Sequence, residues 1–165
     1  VFFMRSEDEL NRVIALYSDM IKRICLIHLK NHADTEDIFQ GVFLKYVLSS
    51  VVFENDAHEK AWFIRVTINA CKDLLKSFFY NRTVDLTEMH EQIAAEVSEE
   101  DTAVIEAVLR LPEKYRKVIY LHYYEGYTAP EISEILGKNI NTVYTYMQRA
   151  RQMLKKELGG EYDAE

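Results

Sequence analysis

Apolar residues recur every three or four positions along nearly the whole chain. That spacing places them on one side of an α-helix, whereas a half-buried strand requires strict alternation of apolar and polar residues. Residues that interrupt helices are scarce, with five glycines and two prolines among 165 residues. The sequence therefore predicts an all-α fold.

The charged residues are unevenly distributed along the chain. Residues 1–80 carry ten basic and eleven acidic groups, and residues 104–165 carry nine of each. Residues 81–103 carry one basic and seven acidic groups, so the excess of acid is concentrated in the middle. An acidic segment between two balanced ones is typical of a solvated linker.

The same middle segment is poor in large apolar residues and lies between two strongly periodic stretches. We therefore expect two small helical domains, at residues 1–83 and 103–165, joined by an acidic linker at residues 84–102. A surface helix between Glu88 and Val97 is the alternative for part of that linker.

Three amphipathic helices are predicted in the first domain. Ser6 and Glu9 form a capping-box pattern that begins the first, and Asp34 is a suitable N-cap for the second. The third follows the loop at residues 51–58 and extends to about Phe79. Its core-facing residues are Ile64, Ile68, Cys71, Leu75 and Phe78.

A polar and mostly basic row runs along the third helix beside those core-facing residues. It consists of Arg65, Asn69, Lys72 and Lys76. Such a row can lie along nucleic acid, but a solvated helix face has the same composition. The spacing alone leaves both interpretations open.

Capping patterns in the second domain predict a helix-turn-helix. Pro112 begins a helix that Gly126 ends, and Thr128 begins a short helix that ends at Gly137. Asn139 then caps a longer helix. The second helix of such a pair enters the major groove of DNA, although a generic pair of packed helices is the alternative.

The longer helix carries the residue types that DNA recognition requires. Its outward-facing polar residues would be Asn141, Thr142, Tyr144, Thr145 and Gln148. Beyond them, four positive charges fall within eight residues, which suits contacts to phosphates. These charges are Arg149, Arg151, Lys155 and Lys156.

Two blocks of sequence resemble the extracytoplasmic-function (ECF) subfamily of bacterial RNA polymerase sigma factors. The first is DTEDIFQGVFLK at residues 34–45, followed by WFIRVTIN at residues 62–69, and it is similar to their promoter-melting domain. The second begins with LPEKYR at residues 111–116 and is similar to their C-terminal promoter-binding domain. The resemblance covers most of residues 7–158 and implies a sigma factor, which is not an enzyme.

The resemblance also implies roles for particular residues. Asn69 would hold a base flipped out of the minus-ten element, Phe53 would line its pocket, and Arg65, Lys72 and Lys76 would follow the opened strand. Residues Asn141, Thr142, Tyr144, Thr145, Gln148, Arg149 and Arg151 would read the minus-thirty-five element. Contacts to polymerase are expected from Asp34, Asp37, Gln40 and Phe43.

The partners implied are core RNA polymerase, through the clamp helices of the largest subunit and the flap of the second largest, together with promoter DNA and an anti-sigma factor. Tyr144 and Tyr146 stand where relatives often carry Lys or Arg, and the net charge is −7, so we expect weak DNA binding without polymerase.

Two other functions are alternatives to a sigma factor. One is a stand-alone helix-turn-helix regulator with an N-terminal sensing or dimerisation domain, and the other is a protein-binding adaptor.

No cofactor is expected. His28 and His32 could share one helix face, but the sequence supplies no third metal ligand.

Cys25 and Cys71 each lie in an apolar helical pattern and are expected to be buried thiols. We expect a cytoplasmic location, because no signal-peptide pattern or apolar run of membrane-spanning length is present.

Overall fold

The computed structural model describes residues 4–29, 32–76 and 99–159. The chain divides between Thr83 and Val84 into two units. Every regular element among the described residues is helical, which confirms the all-α prediction. Most of the predicted linker lies outside the described residues, and the first described helix after it begins at Glu99, inside the segment assigned to the linker.

The first unit contains three helices. They are α1 (Glu7–Leu29), α2 (His32–Leu48) and α3 (Asp56–Lys76). Each helix packs against the other two. The core contains Val13, Ile21, Ile24, Val42, Phe63, Ile64 and Cys71, all at most 1 % exposed. Burial of this apolar surface, at about 1.5–3 kcal/mol for each large side chain, holds the bundle together.

The capping box at the start of α1 is confirmed. The Glu9 backbone N–H donates to Ser6 Oγ at 3.2 Å, and the Ser6 N–H donates to the Glu9 carboxylate at 2.9 Å. The N-cap predicted at Asp34 is wrong, since α2 begins at His32. Asp34 instead lies in the first turn, where a negative charge still complements the positive end of the helix dipole.

The core-facing row predicted for α3 lies largely where expected. Ile64, Ile68 and Cys71 are buried and Leu75 is half-buried, whereas Phe78 and the predicted end at Phe79 lie outside the described residues. Cys25 and Cys71 are both buried free thiols, as predicted, with their Sγ atoms 3.9 Å apart.

The second unit contains α4 (Glu99–Arg110), α5 (Glu113–Ile119), α6 (Ala129–Leu136) and α7 (Ile140–Glu157). One π-helical turn, Tyr120–Tyr124, extends α5. The longest helix, α7, packs against each of the other three. One cluster of its core consists of Leu111, Tyr115, Ile119 and Ala150, with Val108, Tyr146 and Leu154 packed around it.

Local sequence signals fix the ends of α6 and α7. Thr128 and Glu131 form the capping box of α6, and Gly137 ends it in the left-handed conformation at φ 63°. The Asn139 side chain accepts a hydrogen bond from the Asn141 N–H at 2.8 Å and so caps α7. These three features confirm the predicted helix-turn-helix.

Candidate nucleic-acid interface

The polar row on α3 faces solvent. Arg65, Asn69 and Lys76 are exposed and Lys72 is half-buried, while Ile64, Ile68 and Cys71 face the core. Trp62 lies one turn before Arg65 on the same side of the helix, because residues three and four apart are neighbours. The row therefore forms a continuous surface that begins at Trp62.

Phe53 lies in the loop that joins α2 to α3 and is half-buried. Its ring packs edge-on against Trp62, with centroids 5.8 Å apart, and lies nearly parallel to the Tyr46 ring at 6.4 Å. His58 packs against it at 5.3 Å. An aromatic surface thus adjoins the Trp62 end of the polar row.

One face of α2 is exposed, and it differs from the predicted polymerase-binding set. Asp37 and Gln40 lie on it, and Asp34 is half-buried. Phe43 is only 6 % exposed, because it packs against Phe39 at 4.9 Å and Phe63 at 5.8 Å. Phe43 therefore packs in the core, and its contact with polymerase stays a prediction.

Leu44, the residue after Phe43, is the exposed apolar side chain in this part of α2. It is 59 % exposed, and the next turn of α2 adds Leu48 at 50 %. With Asp37 and Gln40 these leucines follow steps of three, four and four along one helix face. The face thus combines acidic, amide and apolar groups.

The outward face of α7 is polar. Asn141, Tyr144, Thr145, Gln148 and Arg149 are exposed, and Thr142 and Arg151 are half-buried. The opposite side is buried through Val143, Met147 and Ala150. The seven predicted recognition residues therefore lie along one helix, away from its core.

Arg151 has a partner that the sequence did not predict. Its Nε donates to the Tyr123 hydroxyl at 2.7 Å, and its guanidinium lies 5.7 Å from the Tyr123 ring centroid. Tyr123 belongs to the π-helical turn, a local geometry often found at functional sites. The turn therefore supplies a side chain that orients one of the basic groups of α7.

Tyr144 and Tyr146 occupy different environments. Tyr144 is 53 % exposed, whereas Tyr146 packs edge-on against Tyr115 with centroids 5.4 Å apart. The Lys114 ammonium lies 5.6 Å from the Tyr146 ring centroid. Tyr144 is thus the tyrosine available to a ligand, and Tyr146 contributes to packing.

Glu59 is a carboxylate almost fully buried at the start of α3. Burial by itself raises its pKa, but hydrogen bonds from Arg12 and Tyr17 and the positive charge of Arg12 outweigh that effect, so the pKa of Glu59 is lowered. Burial and the adjacent Glu59 raise the pKa of Tyr17, which keeps its hydroxyl protonated as a donor. The charge at Glu59 is therefore a structural one, tying α1 to α3.

The described residues contain no group of three or more side chains able to hold a metal ion. The side chain of His32, which the sequence paired with His28, is not among those described. Among the described residues, no helix is long and apolar enough to cross a membrane.

Comparison with known families places both units in one class of protein. Residues 13–77 match the Sigma-70 region 2 family and residues 101–154 match the Sigma-70, region 4 family. Together in this order, the two regions define a sigma factor of RNA polymerase.

Relatives and solved structures agree with that class. The chain is 30% identical to the ECF RNA polymerase sigma factor SigW of Bacillus subtilis, over 92% of this chain and 90% of the relative. It is 31% identical to the sigma factor SigV of the same organism, over 82% of each chain. The chain belongs to the ECF subfamily of RNA polymerase sigma factors, as the sequence resemblance predicted.

Two solved structures share the fold. The sigma factor RpoE of Bartonella quintana, solved with the anti-sigma factor NepR, matches with a TM-score of 0.67 and 16% identity over 93% of this chain and 99% of that one. CnrH, solved with the cytosolic domain of CnrY, matches with a TM-score of 0.66 and 18% identity over 95% and 92%.

Membership of this family defines the activity. The protein binds core RNA polymerase and promoter DNA and directs promoter-specific initiation of transcription. A stand-alone helix-turn-helix regulator is not favoured, because the N-terminal unit matches region 2 and not a sensing or dimerisation domain.

Proposed function

We propose that the first unit opens and reads the minus-ten element, that the second reads the minus-thirty-five element, and that residues 84–102 link them. In the first unit the polar row Arg65, Asn69, Lys72 and Lys76 follows the opened strand. Phe53 and Asn69 receive the flipped base. The adjacency of Phe53 to Trp62, the residue at which that row begins, is the observation that supports this assignment.

The chemistry of base capture fits this pair of residues. An extruded base needs an aromatic surface for stacking and a donor-acceptor group for its edge, and Phe53 and Asn69 supply these. At a rise of 1.5 Å per residue, Trp62 and Asn69 are about 10 Å apart along α3. Phe53, which packs against Trp62, and Asn69 therefore lie at the two ends of about two turns of α3.

In the second unit, α7 is proposed to enter the major groove. Asn141, Thr142, Tyr144, Thr145 and Gln148 meet base edges, and Arg149 and Arg151 meet phosphates. Tyr144, where relatives often carry Lys or Arg, releases no counterions on binding, and the net charge of the chain is −7. Binding by the free protein is therefore weak, and polymerase delivers it to the promoter by raising its effective concentration.

The exposed face of α2 is proposed to dock on the clamp helices of the largest polymerase subunit, through Asp34, Asp37, Gln40 and Leu44, while the second unit meets the flap. An anti-sigma factor is proposed to cover these faces, as NepR and CnrY accompany the two sigma factors of similar fold. The protein itself is proposed to catalyse no reaction and to act in the bacterial cytoplasm.

Replacing Asn69 by Ala tests the minus-ten assignment. Run-off transcription with core polymerase should decrease, and the loss should appear at promoter opening while polymerase binding stays unchanged. Asn11→Ala is the matched control, because Asn11 is an exposed asparagine on α1 of the same unit. Opening by the Asn69 variant at the rate of wild type would contradict the assignment.

A further inference from the structure

Arg5 precedes the first helix and contacts the far end of α2. Its backbone N–H donates to the Val47 carbonyl at 3.0 Å, and its Nε donates to the Tyr46 carbonyl at 2.9 Å. A second guanidinium nitrogen donates to the Val51 carbonyl at 2.5 Å. One residue thus ties the N-terminal segment to both the end of α2 and the loop beyond it.

The end of α2 is a natural site for such a residue. The last carbonyls of an α-helix have no N–H partner within the helix, and a positive charge there complements the helix dipole. The Tyr46 and Val47 carbonyls belong to this last turn. The Tyr46 carbonyl also accepts from the Ser49 N–H at 3.2 Å, and Arg5 adds two further donors and a positive charge to this turn.

The same guanidinium also contacts the aromatic rings beside the polar row of α3. It lies 4.4 Å from the Tyr46 ring centroid and 5.5 Å from the Phe53 ring centroid. A cation over an aromatic face is attracted by the negative face of the ring. Arg5 therefore holds the Phe53 side chain directly as well as the backbone of its loop at Val51.

Besides the packing of the Phe53 ring, the other described hydrogen bonds of this loop join residues at most four positions apart. The Val51 N–H donates to Ser49 Oγ at 3.2 Å, and the Glu54 N–H donates to His58 Nδ1 at 3.1 Å. These bonds shape short stretches of chain. Arg5, by contrast, reaches the loop from 46 residues away and connects it to a separate part of the domain.

We propose that Arg5 is a positioning residue for promoter recognition, which fixes the loop at residues 49–55 so that the Phe53 ring is ready to receive the flipped base. The proposal rests on the base-capturing role assigned to Phe53 above. Arginine suits the task because its planar group presents several donors at fixed angles while it lies against a ring. Lysine, with a single ammonium, cannot make both carbonyl contacts in the same geometry.

Transcription from a promoter library randomised across the minus-ten element tests the proposal, using the full chain with core polymerase. Base preference at each position is a ratio within one reaction, so it does not depend on how much of a variant is folded. The variants are Arg5→Ala, Arg5→Lys and Phe53→Ala. Ser6→Ala is the control, since it removes the neighbouring cap of α1 and leaves the loop contacts in place.

We expect Phe53→Ala to weaken the preference at one position by about five- to 100-fold, the range that loss of base stacking supports. Arg5→Ala should weaken it at the same position by about threefold or more, and Arg5→Lys by less, because ordering of the ring is lost while the ring remains. Ser6→Ala should retain the wild-type preference.

Two results would overturn the proposal in distinguishable ways. If Phe53→Ala weakens the preference and Arg5→Ala leaves it at the wild-type value, Arg5 has no positioning role and the assignment of Phe53 stands. If Phe53→Ala itself retains the wild-type preference, the base-capturing role of Phe53 is wrong, and the role of Arg5 is wrong with it.

Discussion

Arg12 and Glu59 join α1 to the first turn of α3 through a bidentate ion pair. Arg12 Nη1 lies 3.0 Å from Glu59 Oε1, and Nη2 lies 2.6 Å from Oε2. The Tyr17 hydroxyl donates to Oε1 at 2.9 Å. The Arg12 side chain is 46% exposed and the Glu59 side chain is 6% exposed. Loss of Arg12 should therefore affect stability differently from loss of Glu59.

Replacing Arg12 by Ala should lower the free energy of unfolding by about 2–3 kcal/mol, because it leaves the Glu59 carboxylate buried without its cation. Urea denaturation measures this change. Adding Glu59→Gln should recover part of the loss, since the amide carries no charge. As a control, Arg110→Ala removes an exposed pair with Glu157 and should change stability little. Fully additive effects of the two changes at Arg12 and Glu59 would contradict this account.

Stability should also depend on pH through Glu59. The pKa of Glu59 is lower in the folded state than in the unfolded state. Its contribution to the free energy of unfolding is therefore complete above the unfolded-state pKa of about 4.3, and it is lost as the pH falls through the folded-state pKa. Denaturation at a series of pH values between about 3 and 6 should show this decline, and Glu59→Gln should reduce it. In Arg12→Ala the pKa of Glu59 should rise relative to wild type, because the hydrogen bonds and charge of Arg12 no longer lower it, so the decline in stability as the pH falls should be smaller.

Replacing Tyr123 by Phe should weaken binding of the polymerase complex to promoter DNA by about two- to tenfold, because Arg151 loses the hydroxyl that orients it. On the proposed assignment, the plot of log affinity against log salt should become less steep. The magnitude of its slope should decrease by no more than about 0.9, the value for one phosphate contact. Tyr124→Phe removes a hydroxyl from the next residue and should leave the slope unchanged. Equal effects of the two variants would argue against a specific role for Tyr123.

Replacing Leu44 by Ala should weaken binding to core polymerase by about 1–2 kcal/mol if the exposed face of α2 docks there. Fluorescence anisotropy of labelled protein titrated with core enzyme measures the affinity. Leu16→Ala is the matched control, because Leu16 on α1 is 58% exposed and Leu44 is 59% exposed. Equal losses from both would indicate a general effect of removing surface leucines.

Features that depend on neighbouring residues in the chain could be predicted from the sequence. The Thr128–Glu131 capping box, the left-handed Gly137 and the Asn139 cap each rest on contacts within five residues, so the residue types alone specify them. The recognition face of α7 followed from the same local signals, because helical spacing separates its buried and exposed residues.

Features that depend on tertiary packing could not be predicted. The apolar residues of α2 lie on more than one side of the helix, so spacing could not separate buried Phe43 from exposed Leu44. The contacts of Arg5 join residues 41 and 46 positions apart, and nothing in the local sequence indicates them. The pairing of Tyr123 with Arg151 likewise joins residues 28 positions apart, and Tyr123 lies in a π-helical turn that helical spacing does not indicate.

Arg5 lies upstream of residue 13, where the match to the region 2 family begins. A fragment trimmed to the first helical residue would keep α1, α2 and α3 and discard the arginine that holds the loop before α3. If Arg5 positions this loop as proposed, relatives with identical DNA-reading helices would differ in promoter preference through changes in the segment that precedes α1. Promoter choice would then evolve at a distance from the surface that meets the DNA.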